Sequence, residues 1–233
     1  MAIRANALAV MAKAPVTGQV KTRLLPALSA EAAAELARAL LVDQLRHLEK
    51  LDATDGYLFF APDEGRALME ELAPPCFRLF SQHGDDLGSR MEAIFSKLFA
   101  TGHQNIVLIG GDLPPVPLGF FAEAYAFLRS SNQRVVLGPS RDGGYYLVGC
   151  NQPIPGIFRN MSWSHHEVLA QTRKRLAGMN VDYHLLPGWF DIDTPDDLKY
   201  LRSASGLSLA TTMPDTLRLL QRLEANKTAG PID

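Results

Sequence analysis

Several features that would assign this chain to a familiar class of protein are absent from its sequence. It has two cysteines, Cys76 and Cys150, which form neither a CxxC pair nor a metal-ligand pattern, so we expect buried free thiols in a reducing cytoplasm. No apolar run approaches the roughly 18 residues that cross a bilayer, and residues 1–11 are too short and too polar for a signal peptide. We therefore predict a cytoplasmic protein with no membrane span.

A large excess of positive or negative charge is also absent. The formal net charge is −2, which gives no reason to expect nucleic acid or an anionic membrane as a partner. The phosphate-loop pattern GxxxxGK[ST] and the dinucleotide fingerprint GxGxxG are both absent, and no internal repeat is present. What remains is a composition of 47% hydrophobic and 21% charged residues, which is typical of a soluble globular protein.

Hydrophobic periodicity predicts strands that alternate with helices over the first 110 residues. Apolar runs typical of buried strands lie at residues 5–12, 57–61, 77–80 and 105–109, and helical spacing of apolar residues occurs at 29–51, 64–72 and 87–99. Ser29 is the expected N-cap of the first helix. Alternation of this kind predicts an α/β fold, a three-layer α/β/α sandwich around a mostly parallel central sheet.

The second half is less regular and includes two closely spaced strands. The predicted elements are helices at 118–129, 163–176, 194–201 and 214–224, strands at 134–138, 144–149 and 181–186, and a linker at 203–212. The short gap after residue 138 favours a small antiparallel element, because a parallel crossover needs a dozen or more residues. We predict a single domain over residues 1–233, with a core at 5–203 and a C-terminal helical extension at 204–233.

The start of the 163–176 helix has its own predicted signal. Ser164 and Glu167 fit a capping box, and Trp163 with Val168 fits a hydrophobic staple. The neighbouring His165 and His166 are poor metal candidates, because adjacent side chains on a helix point in different directions.

Carboxylates follow two of the predicted strands. Asp112 comes after an apolar strand and two glycines, and Asp191 and Asp193 come directly before Thr194, a good helix N-cap. Carboxylates at the ends of two parallel strands are suited to hold a divalent cation over a nucleotide. The alternatives are that Asp112 caps the turn before the next helix and that Asp191 and Asp193 are surface turn residues.

A basic loop after the first strand is the candidate phosphate site. Lys13, Lys21 and Arg23 are clustered there, and Gly18 allows a tight turn. Ligands of open parallel sheets collect at the carboxyl ends of the strands, which is where this loop is expected. Cations and free backbone amides suit a diphosphate or triphosphate. The alternative is a solvated basic loop.

Two further loops carry polar residues with both structural and functional interpretations. Asp142, Gly143 and Gly144 fit a plain hairpin turn, but the glycines also admit a ligand close to the backbone. In the loop at 82–91, Asp85 or Asp86 fits a helix cap, and Arg90 is either a surface residue or a phosphate ligand with Gly88 beside it.

The order of four motifs resembles a known family. They are Lys-Thr-Arg-Leu at 21–24, Gly-Asp-Leu-Pro at 111–114, Asp-Gly-Gly-Tyr at 142–145 and Asp-Ile-Asp-Thr-Pro-Asp-Asp-Leu at 191–198. This order resembles a bacterial family with the glycosyltransferase-A fold, in the nucleotide-diphospho-sugar transferase superfamily, over residues 5–203. It is also similar to phospholactate guanylyltransferase and, more distantly, to molybdopterin guanylyl- and cytidylyltransferases.

The resemblance implies roles for particular residues. In such enzymes a basic loop binds the phosphates and two aspartates coordinate Mg²⁺, which implies Lys13, Lys21 and Arg23 for phosphate and Asp112 and Asp193 for metal. Residues 12–20 depart from the sugar-nucleotide pyrophosphorylases, since the Gly-rich signature with its paired arginine is missing.

The full set of expected site residues combines the motifs with the resemblance. It comprises catalytic Lys21, Arg23 and Asp112, phosphate-binding Lys13, Gly18, Lys21, Arg23, Gly88 and Arg90, acceptor-binding Asp142, Gly143, Gly144, Tyr145 and Trp163, and metal-binding Asp112, Asp191 and Asp193.

The expected function is a transferase that uses Mg²⁺, or Mn²⁺, and acts on a nucleoside triphosphate or a nucleotide sugar. Nucleotidyl transfer onto a small phosphorylated acceptor is the leading hypothesis. The alternatives are a glycosyltransferase with a nucleotide-sugar donor and a non-catalytic nucleotide-binding module. The expected partners are a nucleotide and a small-molecule acceptor, and the sequence leaves open whether the chain forms a homodimer.

Overall fold

Within the residues that the structure describes, the fold consists of seven strands and seven α-helices. The computed structural model describes residues 3–163, 165–204, 209 and 211–228. The strands are β1 (Asn6–Lys13), β2 (Thr54–Ala61), β3 (Phe77–Ser81), β4 (Asn105–Gly110), β5 (Arg134–Pro139), β6 (Tyr145–Cys150) and β7 (Asp182–Leu185). The helices are α1 (Ala30–Leu48), α2 (Arg66–Leu72), α3 (Leu87–Thr101), α4 (Leu118–Arg129), α5 (Val168–Gly178), α6 (Pro195–Ala204) and α7 (Pro214–Thr228).

The strands form one sheet in the order β3-β2-β1-β4-β6-β5-β7. All neighbouring pairs are parallel except the two that involve β6, which runs antiparallel to both β4 and β5. This confirms the predicted mostly parallel sheet with a small antiparallel element. Because β6 reverses direction, the loop between β5 and β6 lies at the edge where the parallel strands end, beside the loop that follows β4.

Helices cover both faces of this sheet, as the continuous apolar strands predict. On one face, α1, α2 and α4 bury Leu45, Met69 and Phe121 against the sheet. On the other face, α3 and α5 bury Ile94 and Leu176. The three-layer α/β/α arrangement is therefore confirmed.

A further apolar cluster joins α6 and α7 to the outer side of α1. Leu36 and Leu40 of α1 pack there with Leu201, Leu219 and Leu220. The N-terminus of α7 is capped by a residue of another helix. The buried carboxylate of Asp43 accepts hydrogen bonds from the backbone N–H groups of Asp215 (3.2 Å) and Thr216 (2.8 Å) and from the Thr216 hydroxyl (2.8 Å). Asp43 thus satisfies amides that a helix start leaves without intrahelical partners.

Several sequence predictions agree closely with the structure. Helix α4 has the predicted bounds, and Ser29 caps α1 by accepting a hydrogen bond from the Ala32 N–H at 3.2 Å. Asp86 caps α3 within a reciprocal capping box that Ser89 completes. Of the predicted linker, residues 205–208 and 210 lie outside the described residues.

Two local predictions are wrong. The helix predicted from residue 163 begins at Val168, and Glu167 makes no side-chain cap hydrogen bond. The reason is a tertiary contact. The carbonyl of Gly143 accepts the N–H of Leu169 at 3.0 Å and so supplies a hydrogen-bond partner for the first turn of α5. Ser164 lies outside the described residues. The expectation of buried thiols is also wrong for Cys76, which is exposed, whereas Cys150 is buried.

None of the helices in the described ranges combines the length and the apolar composition that a bilayer-spanning segment needs.

The cap on α7 gives a first prediction. Asp43→Ala removes three hydrogen bonds and leaves the N–H groups of Asp215 and of the buried Thr216 without this partner, so we expect a loss of about 1–3 kcal/mol of unfolding free energy. Asp43→Asn keeps an acceptor oxygen and should lose less. Urea unfolding followed by circular dichroism measures both, and an unchanged midpoint for Asp43→Ala would contradict the assigned cap.

Candidate active site

A cleft of about 670 Å³ opens at the carboxyl-terminal edge of the sheet. Its walls come from the segments that follow β1, β3, β4 and β5, from the approach to α5 and from the segment before α6. This is the edge at which open α/β sheets bind ligands. Of the expected site residues, those that line it are Lys13, Lys21, Arg23, Arg90, Asp112, Asp142, Gly144, Tyr145, Trp163, Asp191 and Asp193.

The ammonium of Lys21 lies between two carboxylates on the floor of the cleft. Its Nζ is 3.0 Å from Asp112 Oδ2 and 3.3 Å from Asp193 Oδ1. The Lys21 side chain is 2% exposed, whereas Asp112 is 51% and Asp193 36% exposed. Arg23 adds a looser contact, 3.8 Å from Asp193 Oδ2. The basic loop and two strand-end carboxylates, far apart in sequence, therefore meet at one position.

The backbone at Lys21 is as unusual as its side chain. Lys21 adopts a left-handed conformation with φ 50° and ψ 33°, directly before the 3₁₀ turn. A non-glycine residue occupies this region only when its surroundings hold it there, and such residues cluster at functional sites. This conformation and the two ion pairs together aim the Lys21 side chain back into the cleft.

Charge interactions shift the pKa values of two groups on the floor. Burial alone would lower the pKa of Lys21, but the carboxylates of Asp112 and Asp193 outweigh it and hold its pKa above the usual value. Burial raises the pKa of Asp191 to about 6, and the nearby carboxylates of Asp193 and Asp142 act in the same direction. Perturbation of this kind is typical of functional sites.

The start of α6 fixes the position of Asp193. The carboxylate of Asp197 accepts hydrogen bonds from the N–H groups of Asp193 (3.2 Å) and Thr194 (2.8 Å) and from the Thr194 hydroxyl (2.6 Å). The Thr194 hydroxyl in turn accepts the N–H of Asp197 at 3.3 Å, which is a reciprocal capping box. The expected cap at Thr194 is confirmed, and it orients the backbone that carries Asp193.

Asp112 is held by its own backbone contacts. Its carbonyl accepts the N–H of Ile192 at 3.4 Å, and the N–H of Gly111 binds the carbonyl of Met11 at 2.9 Å. A Cβ at Gly111 would lie 2.6 Å from the Cβ of Ala12, so only glycine allows the chain to pass β1 this closely. Asp112 therefore leaves the sheet directly beside the segment of Asp191 and Asp193.

The loop between β5 and β6 forms another wall. Asp142 accepts hydrogen bonds from the Ser140 hydroxyl and, at 3.0 Å, from the Gly144 N–H, which is the turn predicted from the sequence. Gly143 has φ +88°, and a Cβ there would lie 2.1 Å from the carbonyl oxygen of His166. Gly143 is thus explained by packing, whereas Asp142 and Gly144 face the cleft.

Aromatic side chains line the wall on the α3 and α5 side. Trp163 makes an edge contact with Tyr145 at 6.4 Å between ring centroids, and a tilted contact with Phe158 at 6.5 Å.

Of three further residues predicted to bind phosphate, one lines the cleft and two do not. Gly88 does not line the cleft, and a Cβ there would meet the Phe158 carbonyl oxygen at 2.3 Å. Arg90 lines it and donates its Nε–H to the carbonyl of Gly84 at 2.9 Å. Gly18 has φ +76° and lies outside the lining.

The cleft is more acidic than basic. Its charged lining comprises Asp85, Asp86, Asp112, Asp142, Asp191 and Asp193 against Lys13, Lys21, Arg23 and Arg90. An anionic ligand would therefore meet unbalanced carboxylates unless a further cation accompanied it.

Two exposed carboxylates that converge on a cation are a suitable donor set for Mg²⁺. This ion is commonly bound by one or two carboxylates together with waters and substrate phosphates, not by a cage of protein ligands. The described residues contain no group of three or more His, Cys, Asp or Glu side chains arranged to hold a metal. Asp112 and Asp193 fit this mode of binding, and Lys21 Nζ marks the point on which they converge.

Some cleft residues were not predicted as site residues. Gln82 donates its side-chain N–H groups to the carbonyls of Ala12 (2.9 Å) and Phe59 (3.0 Å), which ties the ends of β1 and β2 together. His165 lines the cleft and its Nδ1 accepts the N–H of Glu167 at 3.2 Å. No sequence pattern distinguishes Gln82 from an ordinary loop residue, because its partners are backbone atoms of distant strands.

Comparison with known proteins supports the interpretation of the fold. The family model described as "Uncharacterized protein conserved in bacteria (DUF2064)" matches residues 44–165, just over half of the chain. No curated protein matches the chain by sequence.

A solved protein from Desulfovibrio desulfuricans G20, assigned provisionally as a nucleotide-diphospho-sugar transferase, is 29% identical. It aligns over 96% of both chains with a TM-score of 0.87. A cytidylyltransferase from Leptospira borgpetersenii serovar Hardjo-bovis is 12% identical over 97% of this chain and 96% of its own, with a TM-score of 0.57.

A 4-diphosphocytidyl-2C-methyl-D-erythritol synthase from Anaerococcus prevotii is 11% identical over 86% of this chain and 96% of its own, with a TM-score of 0.56. At such low identity, it and the Leptospira enzyme show similarity of fold alone. Two of these neighbours, the Desulfovibrio protein and the Leptospira enzyme, are named as transferases, the first of them provisionally. The chain belongs to the DUF2064 family and has the fold of the nucleotide-diphospho-sugar transferase-like superfamily.

Proposed function

We propose that this protein is a Mg²⁺-dependent nucleotidyltransferase that transfers the nucleotidyl group of a nucleoside triphosphate to a small phosphorylated acceptor. The observation that carries this proposal is the convergence of Asp112 and Asp193 on one cation, the Lys21 ammonium, with Arg23 beside them. Cytidylyltransferases among the structural neighbours support the choice of reaction class.

In this reaction an oxygen of the acceptor phosphate forms a bond to the α-phosphorus, the bond to the bridging oxygen breaks, and pyrophosphate leaves. The protein aligns the reactants and neutralises the charge that grows on the non-bridging and leaving oxygens. Lys13, Lys21 and Arg23 bind phosphate oxygens, and Lys21 and Arg23 stabilise the leaving pyrophosphate. Asp112 and Asp193, with Asp191 close to Asp193, would hold Mg²⁺, which would supply further positive charge at the phosphates.

The wall of aromatic and polar residues is suited to the acceptor. Trp163 and Tyr145 present ring surface, and Asp142 presents a carboxylate beside Gly144. The cleft volume of about 670 Å³ is within the usual range of small-molecule sites, which is roughly 300–1,000 Å³.

A second candidate function is glycosyl transfer from a nucleotide sugar. The observation in its favour is the 29% identity to the Desulfovibrio protein, which is higher than that of the other neighbours described. The same carboxylates and cations would then bind the diphosphate of the donor, and the product would be a nucleoside diphosphate. A binding module without turnover would use the same residues for a nucleotide alone.

The metal ligands give the next prediction. Asp112→Ala and Asp193→Ala each remove a charged group that acts in the transition state, which typically costs about 3 kcal/mol of barrier, or a hundredfold or more in rate. Single-turnover rates with the nucleotide identified below measure this loss, and circular dichroism checks that the variants fold.

Asp196→Ala is the matched control. Asp196 also lies at the start of α6, but its side chain is 87% exposed and paired only with Lys199 among the contacts of the described residues. It should turn over at the wild-type rate. Wild-type activity in Asp112→Ala or Asp193→Ala would contradict the metal assignment.

The donor can be identified by thermal shift. We expect one nucleoside triphosphate to raise the melting temperature in the presence of Mg²⁺ and much less without it. A ligand at about 100 times its dissociation constant stabilises by about 2.7 kcal/mol, which corresponds to several degrees. The panel contains nucleoside triphosphates and sugar nucleotides, each with and without Mg²⁺.

Product analysis then separates the reaction classes. Release of pyrophosphate from the triphosphate supports nucleotidyl transfer, and release of a nucleoside diphosphate from a sugar nucleotide supports the second candidate. Tight binding without turnover across a broad acceptor panel supports the binding module. No shift with any member of the panel would contradict all three.

A further inference from the structure

A short loop connects Asp112 to α4, and its sequence leaves it poor in hydrogen-bond donors. Residues 112–117, here called the Asp112 loop, read Asp-Leu-Pro-Pro-Val-Pro. Proline has no backbone N–H, so after Leu113 the only backbone donor in this loop is that of Val116. Val116 is fully buried, and a buried backbone group needs a partner.

Two side chains of α1 supply both partners of Val116. The Gln44 Oε1 accepts the Val116 N–H at 3.2 Å, and His47 Nε2 lies 3.0 Å from the Val116 carbonyl oxygen. Because a carbonyl can only accept, His47 must carry its proton on Nε2. Burial also lowers the pKa of His47, which favours the neutral ring. Gln44 and His47 are three positions apart, so they lie on one face of the helix.

Gln44 and His47 each bury a polar atom that has no partner in the described part of the chain, which lowers the stability of the core. Both are buried, and Gln44 Nε2 and His47 Nδ1 have no hydrogen-bond partner among the described residues. A buried polar group without a partner costs about 1–3 kcal/mol, whereas an apolar side chain of similar size would not. The burial of apolar surface therefore does not explain their presence, but the need of the buried Val116 N–H and carbonyl for partners does.

The other side of the loop is bound to the segment that leads to Asp193. The Nε1–H of Trp189 donates to the Pro114 carbonyl at 3.0 Å, and the N–H of Ile192 donates to the Asp112 carbonyl at 3.4 Å. The Asp112 loop is thus held between α1 and the 189–193 segment. Its position sets where one carboxylate of the pair lies relative to the other.

We propose that Gln44 and His47 are positioning residues, which hold the Asp112 loop in place by binding both backbone groups of Val116 and so align Asp112 with Asp193. The inference rests on the proposed function, because the pair is aligned in order to bind a divalent cation. Side chains that orient metal ligands typically change affinity or activity 10- to 100-fold when they are removed.

Substitutions of similar size test the proposal. Gln44→Met and His47→Leu remove the hydrogen bonds with little change of volume, whereas His47→Gln can still present an N–H near the Nε2 position. Asp43→Ala is the control, because it loses buried hydrogen bonds of the same helix that lead to α7 and not to the Asp112 loop. It separates a general loss of stability from a loss of position.

Two measurements are made on each full-length variant. The first is hydrogen exchange at the Val116 amide, which we expect to become about fivefold faster in Gln44→Met, since a lost hydrogen bond is worth roughly 1 kcal/mol. The second is the affinity for Mn²⁺ as a metal probe, measured by isothermal titration. We expect it to fall about tenfold or more in Gln44→Met and His47→Leu, to recover in His47→Gln, and to stay unchanged in Asp43→Ala.

The outcomes distinguish this inference from the proposed function. If the wild type binds Mn²⁺ and Asp112→Ala does not, but Gln44→Met and His47→Leu bind it like the wild type, the positioning role is overturned. Equal losses in Asp43→Ala and Gln44→Met would overturn it too, because the effect would then follow stability. A wild type that binds no Mn²⁺ overturns the metal site, and exchange at Val116 alone then decides whether Gln44 and His47 hold the loop.

Discussion

Repulsion among carboxylates is the constraint on which this cleft depends. Asp112, Asp191 and Asp193 all lie at one edge of the sheet. Burial raises the pKa of Asp191 to about 6, and the carboxylates of Asp193 and Asp142 act in the same direction. The Lys21 ammonium, buried between Asp112 and Asp193, compensates part of this charge. The left-handed turn at Lys21, the capping box at Thr194 and the close passage at Gly111 each keep these charges in place.

The sequence was sufficient for most of the fold because its local and global signals agree. Hydrophobic periodicity predicted a sheet covered on both faces and the bounds of α4. The short gap before β6 predicted its antiparallel pairing. The start of α5 did not follow, because its first turn finds a partner in Gly143 of a distant loop. A contact with a distant loop cannot be predicted from the residues around position 163.

The candidate site was likewise only partly predictable from the sequence. Topology brings the ends of parallel strands to one edge, so Asp112, Asp193 and the basic loop could be predicted to meet. That Lys21 is buried between the carboxylates could not be predicted, since lysine in a polar loop usually remains in solvent. The contacts of Gln44 and His47 with Val116 could not be predicted either, because the sequence of a helix does not show which distant backbone groups its polar side chains bind.

The reversed strand β6 has a consequence for how such a protein can diversify. The loop between β5 and β6 begins and ends at the cleft edge, and it contributes Asp142 and Gly144 to the wall. Its length and composition can change while the pairing of β4, β5 and β6 keeps its register. Loops on a rigid scaffold tolerate insertions well. Relatives that share this sheet can therefore acquire different cleft walls by altering a few residues here, without refolding the core.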